Sequence, residues 1–238
     1  MPGTAKSETQ ERHFAGPDPL NAVLAQAITG SLQQALDAGR GASLAVPGGR
    51  TPVGLFDLLS QATIDWTRVQ VTLTDERWVD PGSAESNEHL VRAHLLQGAA
   101  AGARLLGLKN PAADAFSGAA ASWSALASLP RPFDFVLLGM GDDGHFASLF
   151  PHSPGLAAAL DPEQPPGCVA MRAPVAPQQR LSLNFSALLD ARQIGLLIVG
   201  AAKRTVLERA RLEGPAADMP VRALLRQAHT PVTVYWSP

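Results

Sequence analysis

The chain has 238 residues, of which 46% are hydrophobic and 17% charged, with a formal net charge of −2. That composition describes an ordinary globular protein, long enough to bury a substantial core without disulfides or metals. A charge this close to zero, with no lysine- or arginine-rich run, argues against nucleic-acid and membrane-surface partners, and the single cysteine, Cys168, excludes an internal disulfide and a cysteine metal cluster.

Residues 1–17 are polar, and Lys6 and Arg12 have no apolar stretch behind them, so they read as a loosely ordered tail and not as a signal peptide. No apolar run approaches the length needed to span a bilayer. A cytoplasmic protein is expected, with residues 18–238 forming one domain.

Asp18-Pro19 reads as an N-cap followed by proline in the first helical turn. Leu20, Val23, Leu24, Ala27, Ile28, Leu32, Ala35 and Leu36 then recur at helical spacing, and Gly39 and Gly41 close that helix. Ala42 to Val46 reads as a buried strand before the turn Pro47-Gly48-Gly49. Val69 to Thr74 predicts another strand; Glu85 to Leu96 and Ala112 to Leu126 predict helices. Phe133 to Leu138 and Ile194 to Val199 are apolar runs, each followed by glycine, as buried parallel strands often are. Arg180 to Phe185 alternates as a strand does. The proline- and glycine-rich segment from Asp161 to Pro177 reads as a surface excursion. Ala201 to Leu212 and Val221 to Ala228 predict helices, and Val232 to Trp236 a final strand. Strands alternating with helices predict a single Rossmann-like α/β domain, its mostly parallel sheet covered by helices on both faces.

In such folds ligands sit beyond the carboxyl ends of the strands. Four loops there have unusual content. Pro47-Gly48-Gly49-Arg50-Thr51-Pro52 lets backbone approach a ligand closely and offers free N–H groups to an anion, although it lacks the Gly-Lys-Ser/Thr ending of a Walker loop. Thr74-Asp75-Glu76-Arg77-Trp78 places three charges beside an apolar strand; Arg77 can grip a phosphate, or the run can be a plain surface ion pair. Leu138 to Ser148 contains Gly139, Gly141, Asp142, Asp143, Gly144 and His145, and a histidine between acids and glycines makes a poor core but a good general base. Gly139, Gly141 and Gly144 also satisfy G-x-G-x-x-G, but Pro151 interrupts any following helix and paired aspartates would face a pyrophosphate with like charge. The fourth loop opens a helix with Lys203 in its first turn, against the macrodipole preference and so tolerable if the lysine serves an anion.

Together these segments resemble the 6-phosphogluconolactonase family, which is related to the glucosamine-6-phosphate isomerase/deaminases. The matching stretches are PGGRTP (Pro47 to Pro52), DERWV with a downstream Ser86-Asn87, LLGMGDDGHFASLFP (Leu137 to Pro151), RLSLNFSALLDA (Arg180 to Ala191) and GAAKRTVL (Gly200 to Leu207). The resemblance implies a hydrolase of the pentose phosphate pathway that opens 6-phospho-D-glucono-1,5-lactone, with no cofactor and no metal; its partner is a small phosphorylated lactone. His145 then stands as the catalytic base and Asp143 as the acid that holds its ring. Gly48, Gly49, Arg50, Thr51, Asp75, Arg77, Lys203 and, further out, Arg180 stand as substrate- or phosphate-binding residues. Arg77 can equally stabilise the tetrahedral oxyanion. Arg50 replaces a serine frequent in the family and Ser83 a histidine; neither touches the proposed base.

Two alternatives belong to other classes of function. The isomerase/deaminase branch carries an acid shortly after the Gly-His motif, and by spacing that position here is Phe150, which relays no proton. A sugar-phosphate sensor would need a helix-turn-helix segment and a basic surface, which residues 1–17 are too few to supply.

Overall fold

The computed structural model describes residues 9–238. Residues 1–8, part of the expected tail, lie outside the described residues. The remainder of that tail departs from the expectation: Gln10–His13 form a strand, β1, that pairs in parallel with the last strand of the chain. Its charged and polar side chains hide it from any apolar pattern, as is common for an edge strand.

Helix α1 (Pro17–Asp37) follows, with two prolines in its first turn and Gly16 at its N-cap. Leu20, Leu24, Ile28 and Leu32 repeat every fourth residue and are fully buried, so one stripe of the helix packs on the sheet. Each such side chain contributes about 1.5–3 kcal/mol of burial. Then come β2 (Ala42–Val46), all five residues buried, α2 (Val53–Leu59), β3 (Val69–Leu73), β4 (Asp75–Arg77), α3 (Asn87–His94), β5 (Arg104–Leu106) and α4 (Ala115–Ala125). The second half holds β6 (Phe135–Gly139), α5 (Leu156–Ala159), β7 (Cys168–Arg172), β8 (Gln179–Leu183), α6 (Phe185–Leu189), β9 (Ile194–Val199), α7 (Ala201–Arg211), α8 (Val221–Arg226) and β10 (Val232–Ser237).

Seven strands make one parallel sheet in the order β1-β10-β9-β6-β2-β3-β5. The chain builds outward from β2 through β3 to β5, then returns to the other side of β2 and builds through β6, β9 and β10. The strand order therefore reverses between β2 and β6, which is where open α/β sheets form a ligand crevice.

Two further segments depart from expectation. The strand read over Arg180 to Phe185 is β8, but it lies outside the parallel sheet: β4, β8 and β7 form a separate antiparallel sheet. Its third member, β7, falls inside the stretch read as a surface excursion. Flanking prolines and half-exposed side chains on β7 erase the alternation that marks a strand. Thr74 is the joint between the sheets. Its N–H donates to the Val46 carbonyl at 2.9 Å and its own carbonyl accepts from the Leu183 N–H at 2.9 Å. Among the described residues no helix is long and apolar enough to cross a membrane.

Candidate active site

The carboxyl ends of β3, β2, β6 and β9, four neighbours in the sheet, open into a cavity of about 220 Å³. Leu138 and Gly139 of β6 with Leu197, Ile198 and Val199 of β9 line its strand side. Pro47, Gly48, Gly49 and Thr51 come from the loop after β2, Asp75 and Arg77 from β4, Asn87 from α3, His145 from the loop after β6 and Lys203 from α7.

His145 sits in a tightly wound segment. The Gly141 N–H donates to the His145 carbonyl at 2.8 Å, and the Gly144 N–H to the Gly141 carbonyl at 3.1 Å. Position 141 has to be glycine, because a Cβ there would fall 2.1 Å from the His145 Nδ1. Nδ1 lies 2.6 Å from Asp143 Oδ1, and the His145 backbone N–H donates to the same oxygen at 3.1 Å. Burial pushes the Asp143 carboxyl up, yet these hydrogen bonds and the charge of the ring outweigh it and hold the group below the ordinary carboxylate value. Asp143 thus remains an acceptor and ties up one ring nitrogen, which leaves Nε2 for chemistry. Phe150 packs a tilted ring on the imidazole, with centroids 4.5 Å apart. Ala147, which lines the cavity two residues on, has a φ of 46°, a strained conformation for a residue with a side chain.

Arg77 and Lys203 bring positive charge to the same cavity. The Arg77 Nη1 donates to the Glu85 carbonyl at 2.5 Å, which orients the guanidinium. The Lys203 ammonium, a quarter exposed, pairs with Asp142 at 2.8 Å. Asp142 is mostly in solvent, so the pair is weak and can be exchanged for a ligand anion. Asp75 is buried, and its Oδ2 accepts from Ser148 Oγ at 2.5 Å.

Of the residues expected at the site, His145, Gly48, Gly49, Thr51, Asp75, Arg77 and Lys203 line the cavity, with Asp143 directly behind His145. Two do not line it. Arg50 stands exposed at the bend before α2. Arg180 is buried beside Arg77 but off the cavity: its guanidinium donates to the main-chain carbonyls of Pro177 and Gln179. Burial, with Arg77 opposite it in the strand pair, lowers the basicity of Arg180. Asn87, Ser148 and Asp142 are neighbours of the site that had no role from sequence, although all three lay in matching motifs. Among the described residues, no three His, Cys, Asp or Glu side chains cluster so as to hold a metal ion.

The family model described as glucosamine-6-phosphate isomerases/6-phosphogluconolactonase matches residues 15–236. A 6-phosphogluconolactonase of Rhizobium meliloti is 44% identical over 225 residues, covering 94% of this chain and 97% of the relative. One from Pseudomonas aeruginosa is 46% identical over 215 residues, covering 90% and 89%. The crystal structure of a 6-phosphogluconolactonase from Shewanella baltica superposes with a TM-score of 0.93 at 46% identity, covering 98% of this chain and 99% of that one. A monomeric glucosamine-6-phosphate deaminase shares the fold, with a TM-score of 0.79 at 17% identity. The fold alone thus does not choose between the two activities, but the chain belongs to the glucosamine-6-phosphate isomerase/6-phosphogluconolactonase family.

Proposed function

We propose that the protein hydrolyses 6-phospho-D-glucono-1,5-lactone to 6-phospho-D-gluconate, with His145 as general base. The observation that carries this reading is the pairing of His145 with Asp143 at the mouth of a cavity that also presents Arg77, Lys203 and a glycine loop. The lactonase names of relatives 44% and 46% identical support the substrate.

The chemistry follows from the donor set. A phosphate dianion is met by Arg77, Lys203 and the backbone around Gly48 and Gly49, with Thr51 beside them. Asp143 accepts from Nδ1–H, so Nε2 carries the lone pair. Nε2 takes a proton from a water molecule as its oxygen attacks the lactone carbonyl. The C–O bond to the ring oxygen then breaks, and that oxygen takes the proton from Nε2 to become a hydroxyl. Water is consumed, the carboxylic acid ionises, and the imidazole returns to its first state. A lactone is already an activated ester, so one base and an anion clamp suffice. Phe150, where the deaminase branch carries an acid, has no proton to relay.

The test is hydrolysis of freshly prepared 6-phosphogluconolactone, corrected for spontaneous opening, with glucosamine 6-phosphate as the control substrate. Lactone opening above the background with no release of ammonia is the expected result. Ammonia release without lactone opening overturns the reading.

A further inference from the structure

Asn87 is the first residue of α3, and its side chain is 2% exposed. It lies between two segments that reach the cavity from different strands. Its Nδ2 donates to the Asp75 carbonyl at 2.8 Å. Its Oδ1 is buried with no hydrogen-bond partner and fills the space beside the Gly48 backbone: a Cβ on Gly48 would fall 1.8 Å from it. The amide is therefore wedged between the glycine loop after β2 and the start of β4.

The base of this wedge is held by Glu76, which is fully buried. Its Oε1 accepts from the Asn87 N–H at 2.7 Å and from the Arg77 N–H at 2.7 Å. Its Oε2 accepts from Ser86 Oγ at 2.9 Å and the Glu88 N–H at 2.8 Å. Four donors converge on one carboxylate at the start of a helix, where negative charge is favoured. Glu76, a residue of β4, thereby fastens the strand that carries Arg77 to the residue that forms the wedge.

We propose that Asn87 is a positioning residue for phosphate recognition: its amide sets the spacing between the Gly48 backbone and strand β4, which carries Arg77, with Glu76 as its anchor. The proposal rests on the reading that Gly48 and Arg77 meet the phosphate. Backbone N–H groups and a guanidinium converge on one dianion only if the segments bearing them are held at a fixed distance, and small misplacements are costly. A merely structural asparagine would support the fold without favouring one substrate over another.

The experiment compares the whole protein with its Asn87→Ala variant on 6-phosphogluconolactone and on unphosphorylated gluconolactone. Calorimetric titration with 6-phosphogluconate and with gluconate reads binding without turnover. We expect the KM for the phosphorylated lactone to rise about tenfold, the equivalent of one good hydrogen bond, with kcat little changed. The Kd for 6-phosphogluconate rises in step, and kcat/KM for the unphosphorylated lactone stays within about twofold. Equal losses on both lactones, or an unchanged KM with only a lower unfolding temperature, overturn the proposal. A wild type that hydrolyses neither lactone overturns the proposed activity alone, because the titration still decides the role of Asn87; one that does not bind 6-phosphogluconate overturns both.

A second variant covers a failure of Asn87→Ala to fold. Gly48→Ala keeps Asn87 and drives a methyl group into its amide, which forces the glycine loop and β4 apart. The Kd for 6-phosphogluconate should rise about tenfold while that for gluconate stays within about twofold. Equal weakening of both, or no change in either, overturns the proposal.

Discussion

The Nδ1 atom of His145 lies 2.6 Å from Oδ1 of Asp143, two residues earlier in the same loop. Both partners belong to one turn, so the orientation of the base is set locally by its neighbour two residues back. His145→Ala should fold normally and lose about 100- to 10,000-fold in lactone hydrolysis, the usual contribution of a general base. Turnover near that of the wild type would remove His145 from the mechanism.

Asp143→Asn tests the pairing through pH. Because the folded value of Asp143 is depressed, its carboxylate adds stability that is present above the unfolded value and lost as pH falls through the folded one. Wild-type stability should therefore drop more steeply than that of the variant below about pH 4, the ordinary carboxylate range. Denaturant unfolding at several pH values checks this; parallel profiles would contradict it.

Gly141→Ala places a methyl group where the imidazole sits. The ring must rotate away from Asp143, so kcat should fall by about 100-fold or more while 6-phosphogluconate still binds. Loss of binding together with turnover would mean that the loop as a whole had collapsed, and circular dichroism would show whether the fold survived.

Arg77 and Arg180 face each other across β4 and β8 yet predict opposite phenotypes. Arg77→Ala should raise the KM for phosphorylated lactone about 10- to 100-fold, a loss of about 1.4–2.8 kcal/mol, and leave the unfolding temperature nearly unchanged. Arg180→Ala removes a buried, charged donor from the half-buried carbonyls of Pro177 and Gln179 and should cost about 1.5–3 kcal/mol of stability. Its effect on KM should be small. Equal KM effects for the two would return Arg180 to the phosphate site.

Cys168 provides a probe of the fold away from the site. Burial pushes its thiol up to about 12, with Arg131 nearby opposing the shift only weakly. In the folded protein it should resist iodoacetamide at pH 8 and react once the chain unfolds. A raised acid is linked to stability that is full below the unfolded thiol value and declines above it, so stability should fall as pH climbs past about 8.5. Rapid alkylation under native conditions would show that β7 opens locally.

The stripe of Leu20, Leu24, Ile28 and Leu32, the apolar runs of β2 and β9, and the Asp143–His145 pair were legible because each is a local pattern: period, burial and chemistry lie within a few consecutive residues. The membership of His145, Lys203, Gly48 and Arg77 in a common site was also legible, because parallel strands deliver their following loops to one end of a sheet. Other features had no local signal. Polar β1 gains its place only by pairing with β10, and β7 is visible only against β8. Arg50 and Arg180 have the charge for a phosphate ligand, and no residue type records which way a side chain points. Asn87 carried no chemistry of its own in the sequence. The sequence by itself determined the main alternation of strands and helices, the family and the closeness of Asp143 to His145, since these depend on short-range periodicity and adjacent residues. The tertiary structure alone decided which cations reach the cavity and what holds the glycine loop against β4, because those depend on contacts between segments far apart in the chain.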